Sequence, residues 1–131
     1  MQLIYLEPYN FYCQCGCHTL PKESIMLLTD KIRQLFGSPL VVTSGARCQK
    51  HQDELIAQGL SKAKHSRHIT GDAVDLAPTK RPVALFHTFL KDNAEALNIW
   101  IEAPSHTPLW GHVQGIPYPN WAQGKSRVFV P

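Results

Sequence analysis

Two histidines and one aspartate are the residues best placed to do chemistry in this chain. The stretch Ser66-Arg67-His68-Ile69-Thr70-Gly71-Asp72-Ala73-Val74-Asp75 ends a polar loop with a histidine and, seven residues later, sets a carboxylate in an apolar run. A carboxylate inside a strand is costly unless it is paired or bound to a cation. Gly71 and Ala73 leave room beside it for a tight backbone fold or a ligand. Trp110-Gly111-His112 places a second histidine in another apolar strand. Two histidines and a carboxylate can hold a catalytic zinc ion and leave its fourth position for water. The spacing also allows ordinary core or surface histidines, with Asp75 capping a turn.

Four cysteines form a second group. Cys13, Cys15 and Cys17 read Cys-Gln-Cys-Gly-Cys-His, and Cys48 stands alone. Paired zinc cysteines are usually spaced by two to four residues, which Cys13 and Cys17 satisfy and Cys15 satisfies poorly. Three readings stay open: reduced buried thiols, a structural metal drawing on these cysteines and His18, or a disulfide to Cys48.

These residues need elements to position them. Pro21 to Phe36 is expected to be a helix, with Ile25, Leu28, Ile32, Leu35 and Phe36 at helical spacing and Gly37 as the stop. Pro39 to Thr43 reads as a short buried strand running into the turn Ser44-Gly45-Ala46-Arg47, and Cys48 to Gln58 as a second, polar helix. Leu60 to Thr70 reads as a loop and Ala73 to Ala77 as a strand. Pro82 to Leu97 is a helix expected to bury Val83, Leu85, Phe86, Phe89, Leu90 and Leu97. Asn98 to Glu102 and Leu109 to Gln114 look like a hairpin around a Pro104 to Pro108 turn, Pro117 to Gly124 is irregular, and Arg127 to Val130 forms a final edge strand. Helices and strands are interspersed without regular alternation. The expected class is α+β, a small, mainly antiparallel sheet with helices packed on it.

The length of 131 residues suits one domain, expected to span 1–131. With 44% apolar and 18% charged residues the composition is that of a folded globular chain. No apolar run approaches the roughly 20 residues of a membrane span, so no membrane partner is expected. The opening Met1-Gln2-Leu3-Ile4-Tyr5-Leu6-Glu7 has neither the basic region nor the apolar run of a secretory signal, so cytoplasmic synthesis is expected. A net charge of +3 is too small to imply nucleic acid. Lys62, Lys64, Arg67, Lys80 and Arg81 form a solvated basic surface or a patch facing a polyanion such as bacterial cell wall.

The segment Ser66 to Asp75 resembles the Ser-x-His-x-x-Gly-x-Ala-x-Asp motif of zinc D-Ala-D-Ala carboxypeptidases, in the LAS group of metallopeptidases. Ser44-Gly45-Ala46-Arg47 is similar to that group's Ser-Gly-Tyr-Arg turn, with Ala46 for tyrosine, and Trp110-Gly111-His112 to its Trp-x-His. Phe11 to Cys17 resembles the opening of a subgroup common in phages and prophages. The four motifs run in family order over about residues 8 to 114. The resemblance implies a hedgehog/D-Ala-D-Ala peptidase-like fold, Zn2+ as cofactor, His68, Asp75 and His112 as ligands, and Arg47 engaging a substrate carbonyl or carboxylate. It implies a peptidoglycan stem or bridge peptide as substrate. A guanidinium suits Arg47's role, being always charged and offering a fork of donors, although an ion pair tying down the turn is the other reading. Ser66 orients the metal loop, contacts substrate or is a plain turn hydroxyl.

Hydrolysis also needs a base to move the water proton. The family often carries a carboxylate three residues before the last histidine, where this chain has Leu109. Glu102 across the hairpin and His106 in the turn are the replacements. Another residue could serve instead; with no base at all the zinc site would be vestigial, as hedgehog shows for a related fold, and the protein a silent wall-peptide-binding or virion component. Otherwise the protein acts at the cell wall after release or as part of a virion. His65 is expected to be solvated or to touch substrate, His51 and His87 to be structural, and Trp100, Trp110 and Trp121 to be core or cleft wall.

Overall fold

The computed structural model describes residues 1–61, 66–119 and 126–131. Lys62, Lys64, His65 and Trp121 lie outside these. A 3-10 turn over Pro8–Phe11 leads to helix α1 (Glu23–Phe36), strand β1 (Leu40–Ser44), helix α2 (Gln49–Ala57) and a short helix α3 (Arg67–Thr70). Strand β2 (Ala73–Pro78), helix α4 (Val83–Leu97), β3 (Trp100–Glu102), a 3-10 turn at Pro104–His106, β4 (Gly111–Gln114) and β5 (Val128–Phe129) complete the order. The strands form one sheet in the order β1-β2-β4-β3-β5. Three pairings are antiparallel and the last, β3 with β5, is parallel. The class is α+β, with the expected β3–β4 hairpin.

The sheet has two unlike faces because strand side chains alternate. Val74 and Leu76 of β2, Ile101 of β3 and Val113 of β4 join Phe86 and Leu90 of α4 and Ile25 and Ile32 of α1 in the hydrophobic core. Phe86 and Ile32 are fully buried, and truncating such a phenylalanine costs about 3–5 kcal/mol. Gly111 lets α4 come close: a Cβ there would stand 2.8 Å from the Phe86 ring and 2.7 Å from Leu90. The opposite face carries Asp75, His112 and Gln114, polar and buried all the same. A layer made of the Ser44–Arg47 turn, α2 and α3 covers that face.

Several boundaries and faces differ from expectation. Leu35 and Leu85 are about half exposed. Both fit helical periodicity, but each lies at the rim of its apolar stripe, beyond the reach of the sheet. The Pro39 to Thr43 strand is buried on one side only: Leu40 and Val42 turn to the core face with Leu76, and Val41 lies on the opposite face, open to solvent. The end of the expected Leu60 to Thr70 loop is helical, since Ser66 caps the turn: its Oγ accepts from the His68 N–H at 3.2 Å. None of the described helices is long and apolar enough to cross a membrane.

The N-terminal segment is held by a buried carboxylate that the sequence reading passed over. Asp30 of α1 accepts three backbone N–H bonds, from Ile4, Tyr5 and Leu6. Phe11 then packs under the Ser44–Arg47 turn. The Ala46 N–H donates to the Phe11 carbonyl at 3.1 Å, and a Cβ on Gly45 would collide with that carbonyl.

Candidate active site

Register alone makes the first contact of the site. β2 pairs with β4 so that Asp75 lies opposite His112. On the other side, β3 pairs Ile101 with Val113, and continuing that register brings Glu102 up to His112. The third residue, His68, comes from α3, which ends at Gly71 with φ +81. A Cβ at Gly71 would sit 2.9 Å from the Lys22 backbone nitrogen, so this sharp return toward β2 needs glycine. His68, Asp75 and His112 each offer a candidate donor atom, and these atoms all lie within 4.8 Å of one another.

Hydrogen bonds fix which nitrogen of each histidine faces the aspartate. His68 Nδ1 lies 2.7 Å from the Gly45 carbonyl. A carbonyl only accepts, so Nδ1 carries the proton and the Nε2 lone pair points to Asp75 Oδ2, 3.4 Å away. On the other ring, Gln114 donates through Nε2 to the Ile116 carbonyl at 2.9 Å, so its Oε1 is the atom facing His112 Nε2 at 2.8 Å. His112 therefore donates from Nε2 and turns Nδ1 to Asp75 Oδ1 at 2.8 Å. An imidazole lone pair and a carboxylate oxygen cannot stand that close without a proton or a cation between them. Two imidazole nitrogens and a carboxylate, each ring anchored through its second nitrogen, is the pattern of a metal centre. The donor set fits zinc.

The electrostatics agree. Burial would raise the pKa of Asp75, but His68 and His112 outweigh it and hold the carboxyl well below the ordinary range. Burial lowers His68. His112 moves the other way: burial opposes its charge, yet Asp75, Gln114 and Glu102 together raise it. Glu102 is raised by burial and by Asp75, against the pull of His112 and His106. Its Oε2 lies 4.0 Å from His112 Nδ1.

A cavity of about 590 Å³ opens over these groups, lined among others by Arg47, Ser66, Glu102, Trp110 and Tyr118. Arg47 Nη2 is 3.8 Å from Asp75 Oδ2. The guanidinium is oriented by Ser44 Oγ and Gln52 Oε1, each at 3.2 Å, and the Arg47 N–H donates to the His68 carbonyl. It is thus both tied to its turn and exposed to the cavity. His106 sits on the exposed 3-10 turn and is not among the lining residues. His87 of α4 meets the Trp110 carbonyl at 2.6 Å and is structural. Trp100 is buried, with the Arg127 guanidinium 4.1 Å above its ring.

The sequence reading missed Gln52 and Gln114. Gln52 is fully buried on a helix read as polar; nothing in its spacing separates it from its solvated neighbours. Gln114, two residues after His112, shares its strand face, and that period of two was the available signal.

The cysteines converge on a second cluster, at Cys48 next to the Arg47 turn. Cys13, Cys15, Cys17 and Cys48 bring four sulfurs within 4.8 Å of one another, all as free thiols. Cys17, beside the Thr19 hydroxyl, has its pKa lowered to about 6, whereas hydrogen bonding to Cys17 pushes Cys15 up to about 12. His18 lies outside the group and stacks on Tyr12.

Comparison with known proteins now places the chain. The fold is similar to the crystal structure of an L-Ala D-Glu endopeptidase, ChiX, from Serratia marcescens. The match has a TM-score of 0.59 and 20% identity, covering 77% of this chain and 84% of that one. No curated protein matches the sequence. Residues 5–102 match the peptidase M15 family; that span holds His68, Asp75 and Glu102, and the tertiary structure adds His112 from beyond it. The chain belongs to peptidase M15, a family of zinc-dependent metallopeptidases.

Proposed function

We propose that this protein is a zinc peptidase that hydrolyses peptide bonds in peptidoglycan stem or bridge peptides. His68, Asp75 and His112 are its metal ligands, Glu102 its general base and Arg47 its oxyanion-binding cation. The carrying observation is the convergence of His68 Nε2, Asp75 and His112 Nδ1 on one point of a cavity that Glu102 and Arg47 also line. When bound, zinc supplies Lewis acidity, polarising a carbonyl and making water more acidic.

The chain's own residues do the rest. Water adds to the carbonyl carbon and gives its proton to Glu102. The C–N bond then breaks and Glu102 returns that proton to the leaving amine. Burial raises the Glu102 pKa, which strengthens it as a base. Arg47, held by Ser44 and Gln52, meets the negative charge growing on the carbonyl oxygen or a terminal carboxylate of the substrate. Ser66 keeps His68 in place through its cap rather than by reaching the reacting atoms. Glu102 stands closer to the chemistry than His106 and is preferred as the base. Its position also favours an active enzyme over a silent wall-binding or virion protein. Action at the bacterial wall, and a phage or prophage origin, belong to this same reading.

The test is zinc-loaded protein on purified peptidoglycan, following new amino groups and identifying the fragments. Wild type is expected to release new termini and His68→Ala to release none. Free D-Ala as the product would identify a carboxypeptidase, cross-bridge or stem fragments an endopeptidase. No hydrolysis of any wall type by zinc-loaded wild type would overturn the proposal.

A further inference from the structure

The sulfur cluster lies outside the cavity chemistry, and its geometry is specific. Cys13 Sγ is 3.4 Å from Cys15 Sγ and 3.9 Å from Cys48 Sγ, and Cys15 Sγ is 3.5 Å from Cys48 Sγ. Sulfurs at the corners of a tetrahedron about a zinc ion, with Zn–S near 2.3 Å, stand about 3.8 Å apart. A single disulfide would use two of these atoms and leave the other two unexplained, and all four are free thiols here. Here all four converge, from two segments separated by about thirty residues.

The backbone is shaped around the sulfurs. The Cys48 N–H points to Cys13 Sγ at 3.4 Å and the His51 N–H to Cys48 Sγ at 3.4 Å. Such N–H···S contacts stabilise thiolates. Cys48 is also the N-cap of α2, at its positive end. Gly16 and His18 both take positive φ, 90° and 61°, and in this curled loop the sulfurs of Cys13, Cys15 and Cys17 approach one another. His51 Nδ1 lies 3.4 Å from Cys13 Sγ, placed to hydrogen-bond that sulfur from outside the tetrahedron.

We propose that Cys13, Cys15, Cys17 and Cys48 form a closed, structural zinc site, separate from the cavity site. It has four thiolates and no open position, so it takes no part in hydrolysis. Its work is positional. Cys48 follows Arg47 directly, and the Cys13 loop follows Phe11, whose carbonyl holds the Ala46 N–H. A metal there clips the N-terminal segment to the turn that aims Arg47 into the cavity.

Metal content tests this without any assay of activity. Full-length protein, purified under reductant, is loaded with zinc and counted, then loaded with cobalt(II) for its spectrum. Wild type is expected to hold two metal equivalents and to show strong sulfur-to-cobalt charge transfer in the near ultraviolet. The His68→Ala/Asp75→Ala variant should keep one equivalent and the whole band. Cys13→Ser/Cys48→Ser should also keep one equivalent and lose the band, and its melting temperature should become insensitive to metal at this site. A reduced wild-type chain that binds cobalt without that band overturns the proposal. So does an intact mass, measured without reductant, that shows the cysteines paired as disulfides in metal-binding protein. The wild-type spectrum needs no variant to fold, and neither result depends on peptide hydrolysis.

Discussion

The two clusters of this protein are built from different materials on different foundations. His68, Asp75 and His112 stand largely on the sheet: two come from paired central strands and one from a capped helical turn against them. Cys13, Cys15 and Cys17 stand on a loop, and Cys48 at a helix start. The first cluster faces a cavity, with a carboxylate and a guanidinium at its rim. The second is closed by its own four sulfurs. The contrast teaches what each geometry is good for. A nitrogen and oxygen set with three ligands leaves a metal reactive, whereas four thiolates saturate it. Rigid strands set distances for chemistry; the loop, which has no strand pairing of its own, would gain a cross-link to α2 through Cys48.

The sharpest way to break the comparison is Glu102→Gln. If the cavity site is the reactive one and Glu102 its base, kcat should fall about 10²–10⁴-fold while both metals remain bound. Hydrolysis near wild-type rates would move the base elsewhere, with His106 next in line; metal loss would make Glu102 a ligand rather than a base.

A smaller effect separates the two sites by their anchoring. Gln114→Ala removes the acceptor that sets the His112 tautomer. Competition with a chelator should show cavity-site affinity reduced about 10–100-fold and the thiolate site unchanged. Equal loss at both would mean that the variant has loosened the whole fold.

The mildest test is pH. In the metal-free protein His112 is raised above its ordinary value, and metal must displace the proton on Nδ1. Above that raised pKa the proton is already gone and affinity is flat with respect to this group. Below it, affinity should fall by about tenfold per pH unit. Cobalt titration of the Cys13→Ser/Cys48→Ser variant would isolate this limb, and calorimetry in buffers of different ionisation enthalpy would count the released proton. A flat profile through the range around and below neutrality would place the Nδ1 proton elsewhere.

Much of this was legible in one dimension. The α1 and α4 stripes, the five strands and the turn at Ser44–Arg47 follow from periodicity and from glycine and proline positions. The seven-residue step from His68 to Asp75 carries a loop histidine onto a strand through Gly71. Leu85 and Leu35 show the limit: periodicity tells which residues share a face, not how far the facing sheet extends. Gln52 and Gln114 show another, since an amide that orients a guanidinium or an imidazole has the same composition as one in water.

By itself, then, the sequence determined most of the elements, the residue types of the candidate ligands and a carboxylate too costly to bury alone. Tertiary structure decided the rest. Strand register made Asp75 and His112 neighbours and drew Glu102 toward them, although 37 residues separate the first two. Folding of the N-terminal segment against the Arg47 turn brought Cys48 to the other three cysteines. A local pattern fixes what a residue can do, but distances across a sheet or between a loop and a helix start are set by packing, and on those distances the chemistry depends.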